Sequence, residues 1–321
     1  MADPTRIQQP SGYLSLTLSE SITSTVRINH RQLSSVALNW SLRSGMVQPM
    51  TRDRLTGFSL WIVLIGLSPF IAGSRAISEE PSPKAVSAFN SYVAALEARL
   101  AQQHQSSEAF LAGVRDSDRR SRLRRGEMIL ERLTPSDVQP PGAMLHYWRG
   151  TAFAPDVRAS DFERVMKDFN TYPQNYAPEV LKAVVVGQHQ NKFRTQMRLR
   201  QHHVVTVVLD ATYDITFARL DLGHGYSASR SVRIVEIDSA GTKAEHELSS
   251  DQEHGFLWRS NTYWSYEERD GGLYLQIESV SLTRAIPLGL GWAVRPFVES
   301  VPRESMEFTL RSTCAALRKH P

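Results

Sequence analysis

GFLWRSNTYWSYEERDGGLYLQIESVSLTRAIP, residues 255–287, is the stretch from which the architecture is read. Two runs rich in aromatic and β-branched residues flank Asp270-Gly271, a dipeptide that favours a type I′ hairpin turn. With a two-residue turn Arg269 pairs with Gly272. Tyr263 then falls opposite Glu278, Asn261 opposite Val280 and Arg259 opposite Leu282, all on one face. The other face carries Trp258, Ser260, Thr262, Trp264 and Tyr266 with Leu275, Ile277, Ser279 and Ser281. The first face mixes a few polar groups with apolar ones, as an oriented ligand site does, and is expected to line a cavity. The second reads as an outer face. A one-residue slip would invert that assignment.

Outward from the hairpin, apolar spacing predicts a helix over 288–319, interrupted by Pro296 and Pro302, with Val294, Phe297, Val298, Val301, Phe308, Leu310, Cys314 and Leu317 on its apolar positions. Upstream lie strands over 144–153, 180–189, 193–199, 204–220 and 226–237. A helix over 160–169 sits between the first two, with Ser160 as N-cap and Glu163 closing a capping box. Arg194, Arg198 and Arg200 alternate with apolar residues, which marks a solvated face. The order is strand, helix, six strands, long helix. The fold class is α+β: a curved antiparallel sheet of about seven strands wrapped around a long C-terminal helix.

Nearer the N-terminus, Ser82-Pro83 starts an amphipathic helix over 84–103, with Phe89, Tyr92, Val93, Leu96 and Leu100 on one stripe. The Arg-rich run 115–125 is read as a solvated helix face, with contact to an anionic lipid surface as the alternative. The Pro-rich stretch 134–142 is the expected boundary between a helical segment with its linker, 77–139, and the sheet domain, 140–321. Residues 55–74 are uncharged, follow Arg52 and Arg54, and end near small residues at Ser74 and Ala76. Pro69 and several small residues argue against a spanning helix of about 20 apolar residues. The expectation is a signal peptide over 50–76 cleaved after Ala76, with an anchor over 55–74 as the alternative. Residues 1–49 are then an over-extended reading frame or a disordered extension. The setting implied is the bacterial periplasm.

Composition narrows the function. Lys plus Arg number 37 and Asp plus Glu 33, a net charge of +4, which points away from nucleic acid. One cysteine, Cys314, excludes an intrachain disulfide and a CxxC pair. No HExxH, GxSxG or nucleotide fingerprint occurs, so neither metal nor cofactor is expected.

The order of elements, with FERVMKDFNTYPQNYAPEV at 162–180, the hairpin at 255–287 and PFVESVPRESMEFTL at 296–310, resembles the helix-grip fold of the START-like (SRPBCC) superfamily. The phrasing is similar to bacterial proteins of the polyketide-cyclase and coenzyme-Q-binding type. The resemblance covers about half of the chain and implies a cavity between sheet and C-terminal helix. The expected function is non-enzymatic binding or transport of a hydrophobic small molecule (lipid, quinone or isoprenoid), by a monomer, with a membrane surface as a further partner. The expected ligand contacts are Arg259, Asn261, Tyr263, Glu278, Tyr213 and Phe217. One alternative is an aromatase/cyclase with Glu278 and Tyr263 as an acid–base pair. Another is a ligand-free interaction module in which Tyr213, Phe217, Tyr226, Trp258 and Trp264 fill the cavity.

Overall fold

The computed structural model describes residues 80–134, 139–202, 206–285 and 291–319, of which 202 and 291–299 by backbone alone. All fall within one compact unit, Leu67–Pro321. The signal or anchor segment lies outside the described residues. Among them, no helix is long and apolar enough to cross a membrane.

Helix α1 (Pro83–Gln103) starts as its sequence requires: Ser82 Oγ accepts from Ala85 N at 3.2 Å, and proline occupies the first turn. A short helix α2 (Ser117–Arg124) is capped by Asp116, whose carboxylate accepts from Arg119 N at 2.7 Å. Then come β1 (Ile129–Arg132), β2 (Ala143–Pro155), α3 (Ala159–Lys167), α4 (Tyr172–Asn175), β3 (Val180–His189), β4 (Lys192–His202), β5 (Thr206–Arg219), β6 (His224–Asp238), β7 (His246–Glu247), β8 (Arg259–Arg269), β9 (Gly272–Arg284) and α5 (Gly291–Lys319). The start of α3 differs from expectation. Asp161, not Glu163, reaches back to the backbone, accepting from Arg158 N at 3.0 Å. Glu163 is instead drawn inward by Arg219, Lys167 and Tyr266.

The strands form one antiparallel sheet in the order β1-β2-β9-β8-β6-β5-β4-β3, with β7 paired to β6. The β8–β9 hairpin has the register expected from its turn, Arg269↔Gly272 through Arg259↔Leu282. Asp270 (φ 56°) and Gly271 (φ 76°) both take the left-handed conformation that a type I′ turn demands. β1 pairs with β2, so the sheet begins before residue 139.

Both faces of the central strands are covered. On one side α5 and α3 bury Ala152, Ala154, Trp264, Tyr266, Leu275 and Ile277 under Met306, Leu310, Cys314 and Leu317. On the other, α1 lays Ala85, Phe89, Leu96 and Leu100 against Leu145, Tyr263, Val280 and Leu282. Burial of each large side chain there contributes about 1.5–3 kcal/mol. Gln276, on the same side, holds the loop after α1 in place: its Nε2 donates to Ala112 O (2.9 Å) and its Oε1 accepts from Ala112 N (3.0 Å).

Candidate functional site

Alternation along β2, β9 and β8 sends His146, Trp148, Ser279, Ser281, Ser260 and Thr262 to the α5 side. They form two transverse rows. His146, Ser281 and Ser260 stand in one; Trp148, Ser279 and Thr262 in the next. Opposite them, α5 presents Val301, Pro302, Ser305, Met306 and Thr309. Leu199 and Gln201 of β4, Tyr213 of β5 and the 256–257 loop complete a cavity of about 200 Å³. It is graded in polarity. Ile277 and Met306 make one end apolar, whereas His146, Ser260, Ser281 and Thr283 make the other polar.

Among the described residues, no Asp, Glu, Lys or Arg lines this cavity. His146 is buried, and burial, with Arg132 nearby, pushes its imidazole down to about 4, so it is neutral at physiological pH. Its Nε2 lies 3.1 Å from Thr283 Oγ1. The Tyr213 hydroxyl has no partner among the described residues, and burial raises it to about 12. Among the described residues, no group of three or more His, Cys, Asp or Glu is placed to hold a metal ion.

Behind Ser305 stands Glu179, just before β3, which accepts from Ser305 Oγ at 3.5 Å. Burial raises it to about 7, more than the Ser305 bond lowers it. The folded state therefore holds this proton more tightly than the unfolded chain, where the value is near 4.5. The stability contributed by the protonated form is complete below 4.5 and lost as pH rises to 7. Glu179→Gln should remove that slope, making the variant more stable than wild type at pH 8 with no gain at pH 4. Urea midpoints at the two pH values measure it; an equal difference at both would contradict the assignment.

The hairpin face expected to line the cavity is on the opposite side of the sheet. Glu278, 2% exposed, faces α1. Arg99 Nη2 donates to its Oε2 at 2.5 Å, Arg149 Nε to its Oε1 at 3.2 Å, and the Tyr147 hydroxyl also donates to it. Tyr263 donates to Glu97 of α1 at 2.7 Å, and Glu97 also accepts from Arg230 at 2.7 Å. Asn261 accepts from Ser231 N and donates to the Tyr263 hydroxyl. Arg259 donates to Trp258 O at 2.9 Å. These four are thus separated from the cavity by the sheet itself. The reason is electrostatic: a buried carboxylate needs cations, and α1 and β2 supply them. Tyr213 does line the cavity. Phe217 is on the cavity side of the sheet but fills the core, edge-on to Phe193 at 5.7 Å.

The residues missed in the sequence are His146, Trp148, the hydroxyl rows and the α5 hydroxyls of Ser305 and Thr309. Their signal is the alternation of Ser and Thr at 260, 262, 279, 281 and 283, which resembles a solvated sheet face. The Arg face of β4 is in turn neutralised: Arg194 pairs with Asp214 and Arg198 with Asp210, each at 2.7 Å, and Arg198 also reaches Glu245.

The strand–helix–strands–helix order, with an antiparallel sheet gripping α5, is a helix-grip arrangement of the α+β class. Similar solved structures include a protein of Thermus thermophilus (14% identity, TM-score 0.39, covering 53% of this chain and 96% of that one). Another is the STAR-related lipid transfer protein of Xanthomonas axonopodis (16%, TM-score 0.38, 59% and 98%). A third is the Zhui aromatase/cyclase of a Streptomyces species (11%, TM-score 0.38, 55% and 94%). No protein-family model matches the chain, and no curated protein does.

Proposed function

We propose that this protein binds a small, largely apolar molecule between its sheet and α5, and does so without chemical turnover. The observation that carries this is the cavity itself: apolar at one end, lined by hydroxyls and a neutral imidazole at the other, with no charged side chain among the described residues of its wall. Its volume of about 200 Å³ compares with the roughly 150 Å³ apolar cavity that suffices for benzene. The ligand that fits is therefore about the size of a single ring. A two-chain lipid or a long isoprenoid tail exceeds this space. Export through residues 50–76 into a bacterial periplasm is part of the proposal, and an N-terminus at Ile77 on the purified protein is its check.

Native mass spectrometry of the full-length gene product, taken from the periplasm, tests the binding. A small molecule released on denaturation is expected. Ser279 lies between Trp148 and Thr262 on the cavity floor. Ser279→Leu should fill the space, abolish the co-purifying mass and leave the melting temperature equal or higher. Retention of the ligand by this variant would place the ligand elsewhere.

An aromatase/cyclase needs a titrating group at its substrate. Glu179, one bond behind Ser305, is the group that favours that second reading. Turnover of an added polyketide-like substrate, lost in Glu179→Gln with binding intact, is the result that would replace the carrier.

A further inference from the structure

Charge is unevenly placed in this protein. Residues 80–321 carry 30 Lys and Arg against 29 Asp and Glu, close to neutral. Within them, 115–132 hold seven basic and four acidic residues, and 303–319 hold four and two, so the remainder is acidic. The fold brings these two basic stretches together. Gly126 (φ 89°) ends α2: its N–H donates to Leu123 O at 2.9 Å and that of Glu127 to Arg122 O at 3.2 Å, which turns the chain toward β1. β1 in turn contacts α5. Between them lies a cleft of about 550 Å³, with Arg122, Met128 and Leu130 from the α2–β1 side and Arg303, Glu307 and Arg311 from α5. It shares no lining residue with the cavity described above.

The three arginines have N–H groups to spare. Glu127 accepts from Arg122 Nε at 2.9 Å and Nη2 at 2.5 Å, which leaves Nη1 without a partner among the described residues. Glu307 accepts from Arg311 Nη2 and leaves that residue's Nε and Nη1 likewise. Arg303 is exposed and has no ion-pair or hydrogen-bond partner among the described residues. Two carboxylates thus hold two guanidiniums by one edge each, and the third guanidinium is an uncompensated positive charge. A carboxylate has two oxygens and is served by one guanidinium fork, as Glu127 is. A phosphate ester has three terminal oxygens, enough for guanidiniums arriving from two elements. Met128 and Leu130 add an apolar strip beside them.

We propose that the cleft between β1 and α5 is a second binding site, which takes a phosphate ester with an apolar substituent. The phosphate is held by Arg122, Arg303 and Arg311, and the substituent lies along Met128 and Leu130. The site is independent of the binding function proposed for the cavity. A soluble alkyl phosphate and the headgroup of a bilayer lipid share this chemistry. Glu307, the carboxylate in the wall, opposes the anion and keeps the affinity modest.

Isothermal titration of the purified protein at low salt with hexyl phosphate, inorganic phosphate and hexanoate tests this. Hexyl phosphate should bind tightest, and raising the salt should weaken it. Arg303→Glu, a change at an exposed position, should weaken it about tenfold or more. Glu307→Gln, which removes the opposing charge and frees Arg311, should tighten it about two- to fivefold. Carbon-13 labelling of the methionine methyl groups locates the ligand: Met128 lines the cleft and Met306 the cavity, so hexyl phosphate should shift the first and leave the second. Co-sedimentation with vesicles separates the sources. Binding to phosphatidylcholine vesicles containing phosphatidate but not to phosphatidylcholine alone, lost in Arg303→Glu, would identify a lipid headgroup. Binding of hexyl phosphate without vesicle binding would identify a soluble ester. Equal binding of hexyl phosphate and hexanoate would overturn the selection of phosphate. Affinity unchanged in Arg303→Glu, a shift at Met306 in place of Met128, or no binding of hexyl phosphate and of phosphatidate vesicles would overturn the site, and none of these results bears on ligand binding in the cavity.

Discussion

Glu278→Ala lowers the stability of this protein by about 3–5 kcal/mol, the usual result of removing one partner from a buried ion pair. The Glu278 side chain is 2% exposed, and Arg149, whose side chain is 14% exposed, contacts it directly. Arg99 reaches it from α1 and Tyr147 from β2. Without the carboxylate, Arg149 keeps only Glu131, at 3.9 Å, as an ion-pair partner among the described residues, and the Tyr147 hydroxyl loses the acceptor it shares with Arg99. The melting temperature should fall by about 10 °C. Glu278→Gln keeps the shape and one acceptor and should cost less, about 1.5–3 kcal/mol. Ligand binding, measured well below the transition, should be unchanged in both, because the group faces α1 and not the cavity. A variant of wild-type stability that has lost binding would show that Glu278 belongs to the ligand site after all.

The second large effect concerns the seam between β2 and α5. Gly150 lies where a Cβ would stand 2.6 Å from Leu310 Cδ1, 3.0 Å from Leu130 Cδ2 and 3.0 Å from Met306 Sδ. Leu310 is fully buried. Gly150→Ala should cost about 1–3 kcal/mol by overpacking, and Leu310→Ala about 2–5 kcal/mol by leaving a cavity. The double variant should cost clearly less than the two together, since the new methyl enters the space that Leu310 vacates. A coupling of at least about 1 kcal/mol in a double-mutant cycle is expected. Strict additivity would show that α5 does not rest on Gly150. Met306 also lines the cavity, so Gly150→Ala should weaken ligand binding even where the protein stays folded.

The contrast between Glu278 and Ser279, adjacent residues facing opposite helices, separates the local information in the chain from the non-local. The hairpin register follows from Asp270-Gly271, because a type I′ turn permits one pairing and the period of two carries it along both strands. The start of α1 follows from Ser82-Pro83, and the order of elements from apolar spacing. Those features depend on residues a few positions apart. They were legible, and with them the helix-grip architecture.

The choice of face was not. Polarity identifies the inner face of a strand only when the other face meets water. Here both sides of β8 and β9 are covered, one by α1 and one by α5, so each strand carries buried residues on both faces. A charged face that looked suited to a ligand is satisfied from within: Arg99 meets Glu278 across 179 positions of sequence, and Tyr263 meets Glu97 across 166. A hydroxyl face that looked solvated is the one turned toward a cavity. Strands, turn, register and gripping helix are thus written locally in the chain, as products of short-range stereochemistry. Which face holds the site is written nowhere locally. It depends on where α1 places its charges in the folded molecule, and a buried charge must be met by its partner wherever in the chain the partner lies.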